Sequence, residues 1–167
     1  MKDIYFSEFI YKKLVLQVAS SNIGVIRVKI GFHEDKDFLH GLKACFPGAC
    51  IFKDHGPNKI PANVLKRYLD GENPPTDLPW DINTTPFTFN VWKIVCTIPY
   101  GETRSYKEIA KISGIPEGAR AAGQALKKNP LLILIPCHRV VSVDNIGGFS
   151  SGIDFKRYLL DFEQATL

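Results

Sequence analysis

The sequence predicts an α+β chain in two parts, a small sheet-and-helix domain over residues 1–78 and a mostly helical domain over 79–167 carrying a helix-turn-helix. Three observations carry that expectation. Short β-branched runs separated by turn residues fill the first part of the chain. A stretch rich in proline, residues 72–86, then interrupts the apolar patterning and marks a boundary. Beyond it, apolar residues recur at helical rather than strand spacing.

Residues 1 to about 31 read as strands. The runs 13–18 and 24–30 flank the turn-like cluster Ser20-Ser21-Asn22, which predicts a hairpin. A short helix is expected over 35–44 and a further strand over 49–53. Pro61 opens and Gly71 closes a helix over 62–70, the usual punctuation for such an element. No catalytic constellation stands out in this half. In the second half, Val91, Trp92, Val95 and Ile98 share one face of a helix over 87–98, stopped by Pro99-Tyr100-Gly101. Ser105 caps a helix over 106–112, with Glu108 completing a capping box. Gly114-Ile115-Pro116 breaks it and a second helix follows over 117–128. Helix, short turn, helix is the pattern of a helix-turn-helix. A last helix over 155–163 puts Tyr158, Leu159 and Phe162 on its core face.

Composition narrows the class. With 45% hydrophobic and 23% charged residues in 167, the chain suits an ordinary soluble globular protein. No apolar run is long enough to cross a bilayer, and the basic, polar N-terminus lacks a signal peptide's apolar core, so a cytoplasmic location is expected. The net charge of +4 is compatible with nucleic acid without requiring it. In a reducing compartment the four cysteines, 45, 50, 96 and 137, stay as thiols. Cys45 and Cys50 flank Phe46-Pro47-Gly48-Ala49. A disulfide or half of a metal site fits poorly there, because no second Cys or His pair follows at zinc-like spacing, and no metal is expected. Cys96 falls on the apolar side of its helix, as a core residue would.

The chemistry concentrates late in the chain. From Asn129 to Val141 an apolar run reads as a buried strand or extended segment ending in Pro136-Cys137-His138-Arg139. Two readings stand: a nucleophilic thiolate activated by a neighbouring base, or a structural cysteine of the kind cores often contain. Arg120-Ala121-Ala122-Gly123-Gln124-Ala125 is nearly stripped of bulk, which serves close helix packing or close approach to a nucleic-acid groove. Lys107, Lys111, Arg120, Lys127 and Lys128 around it could meet phosphates or form a solvated face. The glycine-rich segment from Asn145 to Gly152 suits a pocket wall but not a phosphate cradle. Glu163, near a helix C-terminus, is oddly placed for an acid: it is either solvated or there to hold His138.

From about Thr85 to Glu163 these features resemble the methylated-DNA–protein-cysteine methyltransferases, the O6-alkylguanine-DNA alkyltransferases. The resemblance rests on Val91-Trp92, the segment from Ile98 to Tyr106, Arg120-Ala121-Ala122-Gly123, Asn129-Pro130, the segment from Ile135 to Val140, and Gly148-Phe149-Ser150, in that order. The N-terminal half resembles the family's variable domain only loosely. The resemblance implies that 79–167 is a DNA-binding and alkyl-accepting domain, that the protein acts as a monomer without cofactor, and that it enters the minor groove of double-stranded DNA. There it would flip O6-alkylguanine, and also O4-alkylthymine, out of the stack. Arg120 would fill the gap, with Arg104, Ser105, Ala121, Ala122 and Gly123 at the DNA. Tyr106 would rotate the nucleotide and bond to guanine N3. Cys137 would attack the alkyl carbon, His138 would take its proton through water, Glu163 would orient His138, and Asn129 would order the surrounding segments. Backbone at Cys137 and Val140 would receive the guanine amino group, Phe149 would line the pocket, and Ser150 would donate to O6.

Elementary chemistry agrees with that assignment. A guanine anion leaves only if charge growing at O6 and N3 meets hydrogen-bond donors. The thioether product has no residue equipped to cleave it, so each molecule should act once. Three positions depart from the commoner pattern: Ser151 replaces a usual glycine, Phe149 a frequent tyrosine, and Leu132 the proline of animal relatives. Poorer acceptance of benzyl-type groups than of methyl follows as an expectation. The zinc site of some animal relatives has no counterpart in the sequence. Two other functions compete. A non-catalytic alkyltransferase-like lesion sensor would lack the cysteine, and a cysteine hydrolase on an unrelated fold would turn over repeatedly.

Overall fold

In the computed structural model, which describes residues 2–167, two hairpin connections set up the first sheet. β1 (Asp3–Tyr11), β2 (Leu14–Ser20) and β3 (Val25–Gly31) form an antiparallel meander, and β4 (Cys50–Lys53) adds parallel to β1, in the order β3-β2-β1-β4. The expected hairpin is therefore β2–β3. The β1–β2 connection turns at Lys12, whose φ is 54°. Because strand side chains alternate between faces, Ile4 and Ala19 point together, and with Ile26 they bury Phe38 and Leu42 of α1 (Phe38–Cys45). On the other face Leu16, Val18 and Val28 are fully buried, as are Leu65, Tyr68 and Leu69 of α2 (Lys59–Leu69), which packs on β2. Each such Leu or Val contributes about 1.5–3 kcal/mol through the water it excludes. The chain up to Ile82, joined by Pro130–Leu132, makes one compact unit.

The second unit comprises Asn83–Asn129 and Ile133–Leu167. α3 (Pro86–Val95) starts at Thr85, whose hydroxyl accepts from the Thr88 amide at 3.2 Å, with proline at the first helical position. β5 (Arg104–Ser105) leads into α4 (Tyr106–Ile112). A turn through Gly114 (φ 83°) gives α5 (Ala119–Lys127), so the helix, turn and helix expected from the sequence are present. α5 begins two residues later than expected, because the Gly118 amide closes a turn onto the Ile115 carbonyl at 2.7 Å. Trp92 of α3 fixes α5 by donating to the Ala125 carbonyl at 3.0 Å. A single 3-10 turn (Cys137–Arg139) and β6 (Val140–Val141), parallel to β5, precede α6 (Ile153–Ala165). No helix among the described residues is long and apolar enough to cross a membrane.

Two expectations are corrected. From Leu131 to Ile135 the run is buried but makes only isolated bridges, and a strand appears only at its far end, at β6. Leu131 makes one bridge to Val28, then Ile133 turns the chain at φ 72°. Pro130 and Pro136 cannot donate to a ladder. A β-branched residue at positive φ costs on the order of 1–3 kcal/mol, which the burial of Leu131, Leu132, Leu134 and Ile135 offsets. The buried stripe of α6 is Phe155, Lys156, Leu159 and Glu163; Tyr158 and Phe162 are only half-buried and stack instead, their ring centroids 6.2 Å apart. Two charged residues can occupy a core stripe because both find partners there.

Candidate active site

Pro136 ends the apolar run and the 3-10 turn begins at Cys137, so the next three side chains leave the backbone in three directions. All three are buried. Cys137 lies 7% exposed, and the Asn129 amide nitrogen sits 3.0 Å from its Sγ while also donating to the Ile135 carbonyl at 2.9 Å. Asn129 thus ties the start of the apolar run to its end and touches the sulfur directly.

His138 is wholly buried, and its Nε2 is 2.6 Å from Glu163 Oε1. Glu163 also accepts from Arg139, whose Nε is 2.9 Å from Oε2 and whose Nη2 is 2.9 Å from Oε1, and from the Gly101 amide at 2.8 Å. Gly101 turns at φ 76°, a conformation that favours glycine. Arg139 is held in turn by the Ile98 carbonyl at 2.8 Å, with its guanidinium over the Tyr100 ring. Of the two readings of Glu163, the structure selects the one in which it holds His138. The sequence reading missed Arg139; its only signal was adjacency to the histidine.

Burial works against charge on Glu163, but hydrogen bonds from His138 and Arg139 outweigh it and hold the carboxyl down at about 2. Burial lowers the His138 pKa despite the hydrogen bond to Glu163. The consistent state is a neutral imidazole donating through Nε2 to a carboxylate whose charge Arg139 balances. That tautomer presents Nδ1 as a proton acceptor.

Cys137 opens into a cleft of about 400 Å³ lined also by Tyr106, Gly123, Leu126, Lys127, Gly148, Phe149 and Ser150. That size falls within the range of small-molecule sites. Gly147, at φ 73°, lets the loop pass so close to Tyr106 that a Cβ would fall 2.8 Å from its ring. The Tyr106 hydroxyl donates to the Gly148 carbonyl at 3.3 Å. Of the three departures noted in the sequence, only Phe149 lines this cleft. Leu132 is buried elsewhere, and Ser151 is not part of the wall.

The residues expected at DNA divide. Arg120 and Ala121 are exposed on α5 and Gly123 is half-buried, but Ala122 is wholly buried and serves helix packing. Ser105 spends its hydroxyl and amide on the predicted capping box with Glu108. Arg104 pairs with Glu102 at 3.1 Å. Val140 is buried, and its carbonyl accepts from Lys156, a second residue that sequence reasoning missed. Cys45 and Cys50 share no disulfide, and no cluster of potential metal ligands occurs among the described residues.

Fold and site define a class: a chain that presents a buried cysteine, flanked by a carboxylate-held histidine, in a cleft beside a paired-helix unit. The family model for the DNA-binding domain of 6-O-methylguanine DNA methyltransferase matches residues 86–165. The methylated-DNA–protein-cysteine methyltransferase of Methanosarcina barkeri is 42% identical over 78% of this chain and 84% of its own. The crystal structure of Mycobacterium tuberculosis O6-methylguanine methyltransferase superposes with a TM-score of 0.83 at 32% identity, covering 98% of this chain and 94% of that one. Mycobacterium tuberculosis OGT in complex with DNA gives a TM-score of 0.80 at 31% identity, covering 97% and 94%. The chain belongs to the methylated-DNA–protein-cysteine methyltransferase family.

Proposed function

We propose that this protein repairs DNA by taking the alkyl group from O6-alkylguanine onto its own Cys137, one group per molecule. The observation that carries the reading is the cysteine itself, its Sγ 3.0 Å from Asn129 in a cleft of base-binding size, one residue from a neutral, carboxylate-held imidazole. His138 removes the thiol proton through a water. The thiolate sulfur forms a bond to the alkyl carbon as the carbon–O6 bond breaks, and the guanine leaves as an anion that takes up a proton. Ser150 and Tyr106, both on the cleft wall, are the donors suited to charge at O6 and N3, Tyr106 by turning its hydroxyl from the Gly148 carbonyl, which Lys156 continues to hold. Access to a stacked base requires flipping it, at a cost of a few kcal/mol. Exposed Arg120 at the head of α5 is suited to fill the vacancy while the paired helices lie along the minor groove. The same chemistry extends to O4-alkylthymine. On this reading the protein works as a monomer in the cytoplasm.

Incubation with methylated duplex, followed by mass spectrometry, tests the proposal. The expected product carries one methyl group on the peptide containing Cys137, and excess substrate adds no more. The Cys137→Ala variant should gain none while keeping its affinity for DNA. An unmodified protein, or one clearing many lesions per molecule, would refute the reading and favour a hydrolase or a binding-only role.

A further inference from the structure

One charged group near the cleft touches no reacting atom in the mechanism above. Lys156, on the inward stripe of α6, is 0% exposed. Its Nζ donates to the Val140 carbonyl at 2.6 Å and to the Gly148 carbonyl at 3.1 Å. Val140 follows the 3-10 turn that carries Cys137, whereas Gly148 belongs to the loop that brings Phe149 and Ser150 to the cleft. Burying an ammonium is costly unless its donors find acceptors, and these two carbonyls supply them from two separate segments.

We propose that Lys156 is a positioning residue: its ammonium clamps the Val140 and Gly148 carbonyls and so holds the loop bearing Phe149 and Ser150 closed over Cys137. The Val140 carbonyl has two lone pairs, so an ammonium on one leaves the second for an incoming donor and fixes its direction. Gly148 is held twice, by Lys156 and by the Tyr106 hydroxyl. The clamp therefore sets the distance between two walls of the cleft from a position where it touches no substrate.

The ionisable groups around the ammonium are Tyr106 of α4, whose ring centroid lies 5.7 Å away, and Cys137 and His138 of the 3-10 turn. Burial brings Lys156 down to about 8, with only Cys137 acting in the opposite sense. The clamp thus holds below that pH and loosens above it.

The inference deepens the repair reading, and its test separates the two. Hydrogen exchange is read first, without DNA, on the wild type and on Lys156→Met. The variant should lose protection about tenfold or more over residues 142–152, with α4 and α5 unchanged. Single-turnover transfer is read next: the limiting rate should fall at least tenfold with little change in the half-saturating DNA concentration, and Lys156→Arg should restore part of it. If neither substitution folds, the wild type itself serves, since protection over 142–152, corrected for intrinsic exchange, should drop as pH rises through about 8. Unchanged exchange over that loop, in the variant or across pH, overturns the clamp whatever the activity. An equal transfer rate in Lys156→Met overturns its role in the reaction. Failure of the wild type to accept any methyl group refutes the repair reading alone and leaves the exchange result standing.

Discussion

Replacing Glu163 by Gln keeps its shape and removes its charge. Arg139 would then stay 7% exposed with no carboxylate, and one of the two oxygens that accept from His138, Arg139 and Gly101 would become an amide nitrogen that accepts nothing. Two routes give the magnitude. A carboxyl held at about 2 instead of the ordinary 4.5 corresponds to about 3 kcal/mol of folding stability. Removing one partner of a buried ion pair costs roughly 3–5 kcal/mol. Glu163→Gln should therefore unfold about 3 kcal/mol more easily at pH 7 in a urea titration, with an unchanged slope. The sign with pH follows from the lowered pKa: the contribution is complete above 4.5 and disappears as pH falls toward about 2. Wild type and variant should converge on acidification. A difference under about 0.5 kcal/mol at pH 7, within the range of ordinary surface substitutions, would refute the account of this network. So would a gap that persists undiminished near pH 2.

Other substitutions separate the roles assigned above. Arg120→Ala should slow repair of duplex far more than attack on the free alkylated base, and equal losses would remove Arg120 from base flipping. Ser105→Ala takes away the cap of α4 and should cost about 1 kcal/mol in thermal or denaturant unfolding, with no loss if the capping box is incidental. Benzyl-type groups should transfer more slowly than methyl, because a cleft of about 400 Å³ would have to hold a second ring beside the base and Phe149; equal single-turnover rates would show that the cleft does not set the size limit.

The elements whose signals are local were legible in the sequence. The β2–β3 hairpin, the capped start of α4 and the glycine turn before α5 are specified by residues within a few positions of one another. The run before Cys137 was misread because apolar periodicity cannot distinguish a buried strand from a buried irregular segment, and nothing local announces positive φ at Ile133. Lys156 and Arg139 were missed for a related reason. A lysine or arginine is normally exposed, so its burial is decided by carbonyls and carboxylates distant in the chain: Val140, Gly148 and Ile98 for the acceptors, Glu163 for the counter-charge. Glu163 was suspected on two grounds, its opposition to the helix dipole and the role in orienting His138 that the family resemblance implied.

Cys137, His138 and Arg139 occupy successive positions of one three-residue coil, so sulfur, imidazole and guanidinium are spread about 120° apart around a common axis. Such an arrangement has no tolerance for a change in chain length. One residue gained or lost within the coil would swing all of its chemical groups into each other's compartments at once, whereas the exposed segment around Val143 and Asp144 could lengthen at little expense. Diversity in size should accordingly collect after the coil and never inside it.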